Sequence, residues 1–395
     1  MPAYDYLTVG CGMFGAVFAR AAADAGRRVL VIDKRPHIAG NCYSESVDGI
    51  EVHRYGPHIF HTDNLQVWAF VNRFTRFNEY RHRGAVDFRG RRFSFPLNLT
   101  TLTQLWGVST REEAEARLAE VRVPHDNPRN LRDWIVSQVG QEVYEIFVRG
   151  YTTKQWGRDP AELPAAIIRR LPIRTTVNDR YFDDRFEGIP IGGYTRMFGN
   201  MLDHPAIDVR LSVDYLADRH TLEGLAEKTV YTGKIDELFG YRHGDLEYRS
   251  LRFETERLEG DFQGTSIVNY TAAEVPYTRI AEHKHFELKT CRQTVITREY
   301  PDDYDRSKTP YYPIRDAANA ALFERYQADA SASGILLGGR LATYQYFDMH
   351  QVVAQALAMA RRECGSVPAK GRMVGANRAT VGDATVKAPG LRRAS

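Results

Sequence analysis

Three groups of residues in this chain have types and spacing suited to chemistry. The first is Gly10-Cys11-Gly12-Met13-Phe14-Gly15, with Asp33 about 20 residues further on. Gly10 permits a tight turn out of a strand, Gly12 lets backbone approach a pyrophosphate, and Gly15 lets the following helix pack close to the sheet. That helix would aim its N-terminus at the phosphates, and Asp33 would accept from a ribose diol. Lys34 beside Asp33 would suit a ribose phosphate, so this motif alone leaves NAD, NADP and FAD open. The second group is a pair of further glycine turns, Ala39-Gly40-Asn41 and Gly338-Gly339-Arg340, the latter followed by Asp348-Met349. The third is cationic. Arg170 and Arg174 sit in a stretch punctured by Pro160, Pro164 and Pro172, and Arg279 lies in a later strand-like segment. A guanidinium fork suits a diphosphate, although solvated surface arginine is the plain alternative for each. His58 and His61 occupy a compact polar turn.

These residues need elements to hold them. Tyr6–Val9 reads as a strand, residues 15–25 as a helix of small residues, and Val29–Ile32 as a buried second strand. A second glycine turn so soon after the acid resembles FAD proteins of the glutathione-reductase and amine-oxidase type. Where those carry Gly-Gly this chain has Ala39-Gly40, and the turn is expected to survive with Ala39 at negative φ. Ile335–Leu337 would be a late strand, and Asp348 would cap a helix running to about Glu363. Glycine sites at both ends of the chain make the cofactor domain discontinuous. In between, residues 65–77 read as a helix and 86–88 with 92–95 as a hairpin. Residues 99–155 read as helical, with Leu131, Trp134, Ile135, Val139, Val143 and Phe147 on one face behind an Asn130 cap. Residues 246–300 alternate as antiparallel strands do, and 373 onward lacks periodicity.

The chain has 395 residues, 43% of them hydrophobic, enough for two or three domains around a sizeable core. A net charge of +3 with dispersed basic residues argues against nucleic acid. Only nine of the 53 basic residues are lysine, an arginine bias that suits phosphate. No apolar run approaches membrane-spanning length and no secretory leader is visible. Cys11, Cys42, Cys291 and Cys364 show neither metal nor redox spacing, so reduced thiols, a cytoplasmic location and no metal are expected.

Further segments make the resemblance specific. They are Tyr55-Gly56-Pro57-His58-Ile59-Phe60-His61-Thr62, Gly150-Tyr151-Thr152-Thr153-Lys154-Gln155-Trp156-Gly157 and Arg169-Arg170-Leu171-Pro172-Ile173-Arg174. Val275-Pro276-Tyr277-Thr278-Arg279-Ile280, Pro310-Tyr311-Tyr312-Pro313-Ile314-Arg315 and Gly339-Arg340 leading to Thr343-Tyr344-Gln345-Tyr346 follow in order. Over roughly residues 4–363 the chain closely resembles the bacterial UDP-galactopyranose mutases.

The resemblance implies an isomerase that interconverts UDP-galactopyranose and UDP-galactofuranose, a precursor of cell-surface glycans. It implies reduced FAD, with N5 as nucleophile at the anomeric carbon, UDP as leaving group and no net redox change. Arg170 and Arg279 match the pyrophosphate arginines, with Arg174 a weaker candidate, and Tyr181, Tyr312 and Tyr346 match tyrosines on the same phosphates. Phe147, Tyr151, Thr152 and Trp156 match the uridine end, and Asn269 is a further polar candidate there. His61 would touch flavin and galactose, and His58 would face the flavin. His82 stands where relatives often carry Asn and would bond the sugar differently. Gly10, Gly12, Phe14, Gly15, Asp33, Lys34, Gly40, Asn41, Gly339, Arg340, Tyr346, Asp348 and Met349 would line FAD.

The implied fold is α/β: a discontinuous Rossmann-like FAD-binding domain with an inserted helical domain and an antiparallel β-sheet domain. Its bounds would be 1–78, 190–245 and 330–365 for the first, 97–175 for the second, and 79–96, 176–189 and 246–329 for the third. Residues 366–395 would be a tail. A homodimer and an external reductant such as NAD(P)H are also implied. A redox flavoenzyme such as an amine oxidase shares the FAD halves but needs no diphosphate clamp, and a binding protein of the GDP-dissociation-inhibitor type shares the fold without flavin.

Overall fold

The computed structural model describes residues 2–168 and 171–365. A five-stranded parallel sheet runs in the order Leu336–Leu337, Ala226–Tyr231, Tyr4–Val9, Val29–Asp33, Ile207–Leu211. Val29, Leu30, Val31 and Ile32 are all fully buried, an unbroken apolar run, because both faces of this sheet are covered. Strand periodicity sorts them. Val29 and Val31 pack with the helices Met13–Asp24 and Met349–Cys364, while Leu30 and Ile32 meet Leu222 and Leu238 on the other face. Each such side chain contributes about 1.5–3 kcal/mol of burial. This is a Rossmann-like α/β arrangement.

The second sheet has seven strands: Tyr312–Pro313, Tyr248–Glu259, Gln293–Asp303, Arg279–Glu282, Ile267–Tyr270, Gly84–Phe88, Arg91–Phe95. Its pairings are antiparallel except that of Ile267–Tyr270 with Gly84–Phe88. The hairpin Gly84–Phe95 turns one face to the helices Leu99–Trp106, Arg111–Val121, Leu131–Val143 and Gly150–Trp156. Val86 and Phe93 join Leu102, Leu118, Leu131 and Ile135 in that core.

Two expectations change. The helix begun at Leu65 ends at Val71, where Asn72 Nδ2 caps the Trp68 carbonyl at 2.8 Å. The long face starting at Leu131 breaks at Gly140 (φ 82), because a Cβ there would lie 2.5 Å from the Val121 carbonyl. The chain then winds residues 144–149 as π-helix, so Phe147 and Tyr151 do not have ideal α-helical spacing. The proline-rich stretch forms two 3₁₀ turns, Pro160–Glu162 and Ala165–Ile167. Arg169, Arg170 and the expected tail at 366–395 lie outside the described residues. Among the described residues no helix is long and apolar enough to cross a membrane.

Candidate active site

Two glycine turns face each other at the end of the parallel sheet. Gly10 has φ 104, and a Cβ on it would sit 2.0 Å from Thr232 Oγ1. A Cβ on Gly15 would sit 1.9 Å from the Gly10 carbonyl, and one on Gly40 2.9 Å from Gly12 Cα. The backbones of the two turns therefore nearly touch, beside a helix N-terminus of the kind that suits phosphate. Asp33 closes it, accepting from the backbone N–H of Cys11 (2.7 Å) and of Arg35 (2.9 Å). Each carboxylate oxygen keeps a lone pair for a ribose. Lys34 is exposed beside it and Asn41 half-buried. Ala39 adopts φ 73, against the negative value expected, with its carbonyl accepting from the Cys42 N–H at 2.9 Å. The tight 3₁₀ turn requires that conformation, at a cost of roughly 1–2 kcal/mol for a residue with a Cβ.

The late glycines complete the cradle. A Cβ on Gly338 would lie 2.1 Å from the buried Phe14 ring, so Phe14 fills space beneath the turn. Arg340 follows, its Nη2 donating to the Tyr311 carbonyl at 2.7 Å and its guanidinium 5.6 and 4.9 Å from the Tyr312 and Tyr346 ring centres. Its Nε is buried without a hydrogen-bond partner. Asp348 heads the next helix, its N–H donating to Gln351 Oε1, and Met349 Sδ lies 3.8 Å from Cys42 Sγ. Glycine cradle, ribose acid and orphaned guanidinium donor fit an extended dinucleotide such as FAD.

Arg279 lies on the far wall. Its Nε and Nη2 reach the two oxygens of buried Glu299, its cross-strand partner, at 2.9 and 2.8 Å. One hydrogen bond and one ion-pair contact orient the guanidinium, and removing either partner strands a charge. Asn269 is the cross-strand neighbour on the other side, donating to the Ala85 carbonyl. Tyr151, Tyr312 and Tyr346 lie within electrostatic reach of Arg279 or of one another. Burial pushes the Tyr151 phenol up to about 12 and Tyr312 higher still, so both are neutral donors. Tyr312 stacks with Tyr346 (5.7 Å) and meets Trp156 (6.3 Å).

The histidines are arranged by their neighbours. His61 Nδ1 meets Asp184 Oδ2 at 2.9 Å, and its ring stacks on Phe182 at 3.7 Å and crosses His350 at 4.8 Å. His58 Nδ1 meets the Gly56 carbonyl at 2.8 Å, and burial pulls its pKa from 6.5 to about 4. His82 lies 5.2 Å from the Tyr181 ring, its Nδ1 bonded to the Tyr80 hydroxyl, which also meets Ser266. Burial, then the charge of Arg279, brings His82 to about 3.

Two candidates are engaged otherwise than expected. Arg174 donates to the Arg180 carbonyl (2.7 Å) and to both oxygens of Asp183 (2.8 and 2.9 Å), which staples the turn carrying Tyr181. Phe147 is packed on Phe93 and Phe95 inside the helical core. Thr152 is buried on the Gly150–Trp156 helix. Sequence reading missed Glu299, Asp184 and Phe182. The signal for Glu299 was an acid in step with the inward-facing Val295 and Thr297.

A sequence model of the UDP-galactopyranose mutase family matches residues 146–346, and one of NAD(P)-binding Rossmann-like domains matches residues 8–74. The Klebsiella pneumoniae protein named "Probable UDP-galactopyranose mutase" is 40% identical over 369 residues, spanning 92% of this chain and 95% of the relative. The Escherichia coli dTDP-fucopyranose mutase is 38% identical, spanning 90% and 97%. The crystal structure of a reduced UDP-galactopyranose mutase shares the fold with a TM-score of 0.71 at 14% identity, covering 92% of this chain and 94% of that one. With identity of this level along nearly the whole chain and a family match across the Arg279 wall, the chain belongs to the UDP-galactopyranose mutase family.

Proposed function

We propose that this chain interconverts the pyranose and furanose forms of UDP-galactose, with FAD in the glycine cradle and UDP against the Arg279 wall. The observation that carries the reading is Arg340, which leaves the cradle at Gly339 and ends beside the Tyr312–Tyr346 pair with an orphaned Nε. Cofactor and diphosphate sites thus adjoin through one residue. When bound and reduced, the flavin supplies the nucleophile, N5, for the anomeric carbon.

The protein's part is electrostatic and geometric. Arg279, oriented by Glu299, donates to the diphosphate and stabilises it as it leaves, with Arg170 as the second cation. Tyr181, Tyr312 and Tyr346 add neutral donors, so UDP is held without excess charge. Tyr151, Thr152 and Trp156 take the uridine, with Phe147 packed behind them and Asn269 beside Arg279. Arg174 acts by holding Tyr181. His61, fixed by Asp184 and Phe182, faces the sugar with His82, and His58 stays neutral beside the flavin. Gly10, Gly12, Phe14, Gly15, Asp33, Lys34, Gly40, Asn41, Gly339, Asp348 and Met349 complete the FAD site.

We read three parts, with the domain bounds expected from sequence. The reading extends to a cytoplasmic homodimer that feeds cell-surface glycan synthesis and is reduced by NAD(P)H. Four unpaired cysteines support a reducing compartment.

Sugar choice is the sharpest part of the test, because a relative named for dTDP-fucose is nearly as similar as one named for UDP-galactose. Purified enzyme reduced with dithionite is offered UDP-galactofuranose and dTDP-fucofuranose, and products are separated by chromatography. Faster conversion of UDP-galactofuranose is expected. Preference for the dTDP sugar would overturn the substrate assignment, and a protein that takes up no FAD would overturn the reading.

A further inference from the structure

One lysine joins the two walls of the nucleotide cleft. Lys154 Nζ donates to the carbonyls of Tyr270, Ala272, Val275 and Tyr277 at 2.8, 2.9, 2.9 and 3.0 Å. An ammonium has three protons, so four acceptors at nearly equal distance hold it as a centred cation in a carbonyl ring. Four positions earlier, on the same helix face, Gly150 is pressed onto the same loop: a Cβ there would lie 2.2 Å from the Thr271 carbonyl. The loop's two feet are Asn269 and Arg279, which pair across the strands. At the helix's other end Arg249 Nε donates to the Gln155 carbonyl at 3.1 Å. The helix is thus held to the loop that delivers Arg279 through Gly150 and Lys154, and to the strand Tyr248–Glu259 at its far end.

We propose that Lys154 is a positioning residue that sets the span between the nucleoside end of the cleft, on Tyr151 and Trp156, and the diphosphate end, on Arg279. The inference rests on the proposed function. Lys154 does not reach substrate itself, because its ammonium faces backbone carbonyls. A space-filling residue would not need a charge here, where burial pulls the lysine down to about 8. Glu274, the nearest carboxylate in the loop, partly offsets that burial and is itself paired with Arg89. A UDP that touches both ends reads the span, whereas uridine alone touches one end.

The test uses the FAD-loaded enzyme and three ligands: UDP, uridine and the sugar nucleotide. Lys154→Ala is expected to weaken UDP binding and raise KM by about tenfold, with kcat within about twofold and uridine affinity nearly unchanged. The emptied ring has the oxygen spacing that potassium and ammonium accept, so either ion should restore UDP affinity where lithium does not. Lys154→Met fills the ring with an uncharged group and should show the same loss without rescue. It also serves if the alanine variant fails to fold. Wild-type UDP affinity in a folded variant would overturn the proposal. So would a loss in kcat alone, an equal loss for uridine and UDP, or rescue of both variants by every salt. A wild-type enzyme that does not bind UDP would overturn the proposed function instead. A rise in the melting temperature of Lys154→Ala with potassium or ammonium, and not with lithium, would still report on the tie.

Discussion

The glycine cradle and the Arg279 wall are built in opposite ways. At the cradle the backbone does the work: Gly10, Gly15 and Gly40 act through the side chains they lack, since a Cβ on them would lie 2.0, 1.9 and 2.9 Å from a neighbouring atom. At the wall, side chains hold side chains: Arg279 with Glu299, His61 with Asp184 and Phe182, Arg174 with Asp183. A backbone site tolerates no added atom, whereas a side-chain site tolerates change in one partner only when the other changes with it.

The largest expected break is Gly40→Val. A Cβ 2.9 Å from Gly12 Cα, on a residue at φ 54, closes the cradle. FAD occupancy, read from the visible spectrum of the purified protein, should fall to near zero. On the wall, Arg279→Ala should lower turnover by about 10²–10³-fold with FAD still bound. It should also destabilise the fold by about 3–5 kcal/mol, because Glu299 is left buried and unpaired. The double variant Arg279→Met with Glu299→Met should regain most of that stability in urea unfolding and none of the activity.

Acid acts on a set of buried histidines beside the wall. The His58 N–H donates to His53 Nδ1, the His53 N–H to His283 Nδ1, and His283 Nε2 meets Thr297. Burial keeps all three neutral, with His58 at about 4, His283 at about 3 and His53 well below 6.5; His82 is likewise at about 3. Unfolded histidines protonate near 6.5, so below that pH the unfolded chain binds more protons. Stability is therefore lost as pH falls through 6.5 toward 4, at about 1.4 kcal/mol per unit for each histidine. Calorimetry between about pH 7.5 and 5 should show melting temperature falling steeply. A flat profile would mean these sites are protonated in the fold.

Two smaller effects sharpen the contrast. Arg174→Met and Asp183→Asn should each raise KM about threefold through Tyr181, and the double variant should be no worse than either alone. Ala39→Gly should stabilise the protein by about 0.5–1 kcal/mol, because φ 73 strains alanine. Melting with FAD saturating reads that gain.

The same contrast decides what the sequence made legible. Gly10, Gly12, Gly15 and Asp33 were readable because a backbone cradle demands glycine at fixed offsets over a short stretch. Ala39 was misread because its conformation is imposed by the turn it closes, against its own preference. Glu299, Asp184 and Lys154 left little trace, because their partners lie 20, 123 and about 120 residues away and no local pattern ties them. Phe147 was placed at the uridine end by resemblance, but the Gly140 break and the π turn set its ring in the core. The strands of the parallel sheet were legible where apolar runs are unbroken. The helix begun at Leu65 was overextended, because an asparagine cap at residue 72 resembles any exposed polar position.

The central claim is that cradle and wall serve one reaction, in which the cofactor is a nucleophile and is not consumed. The most direct measurement is anaerobic turnover of UDP-galactofuranose by the FAD-loaded enzyme, oxidised and dithionite-reduced, with product and reductant both quantified. The account predicts UDP-galactopyranose only from the reduced enzyme, with many turnovers and no reductant used per product. Equal activity in the oxidised state, or one reductant consumed per product, would contradict it.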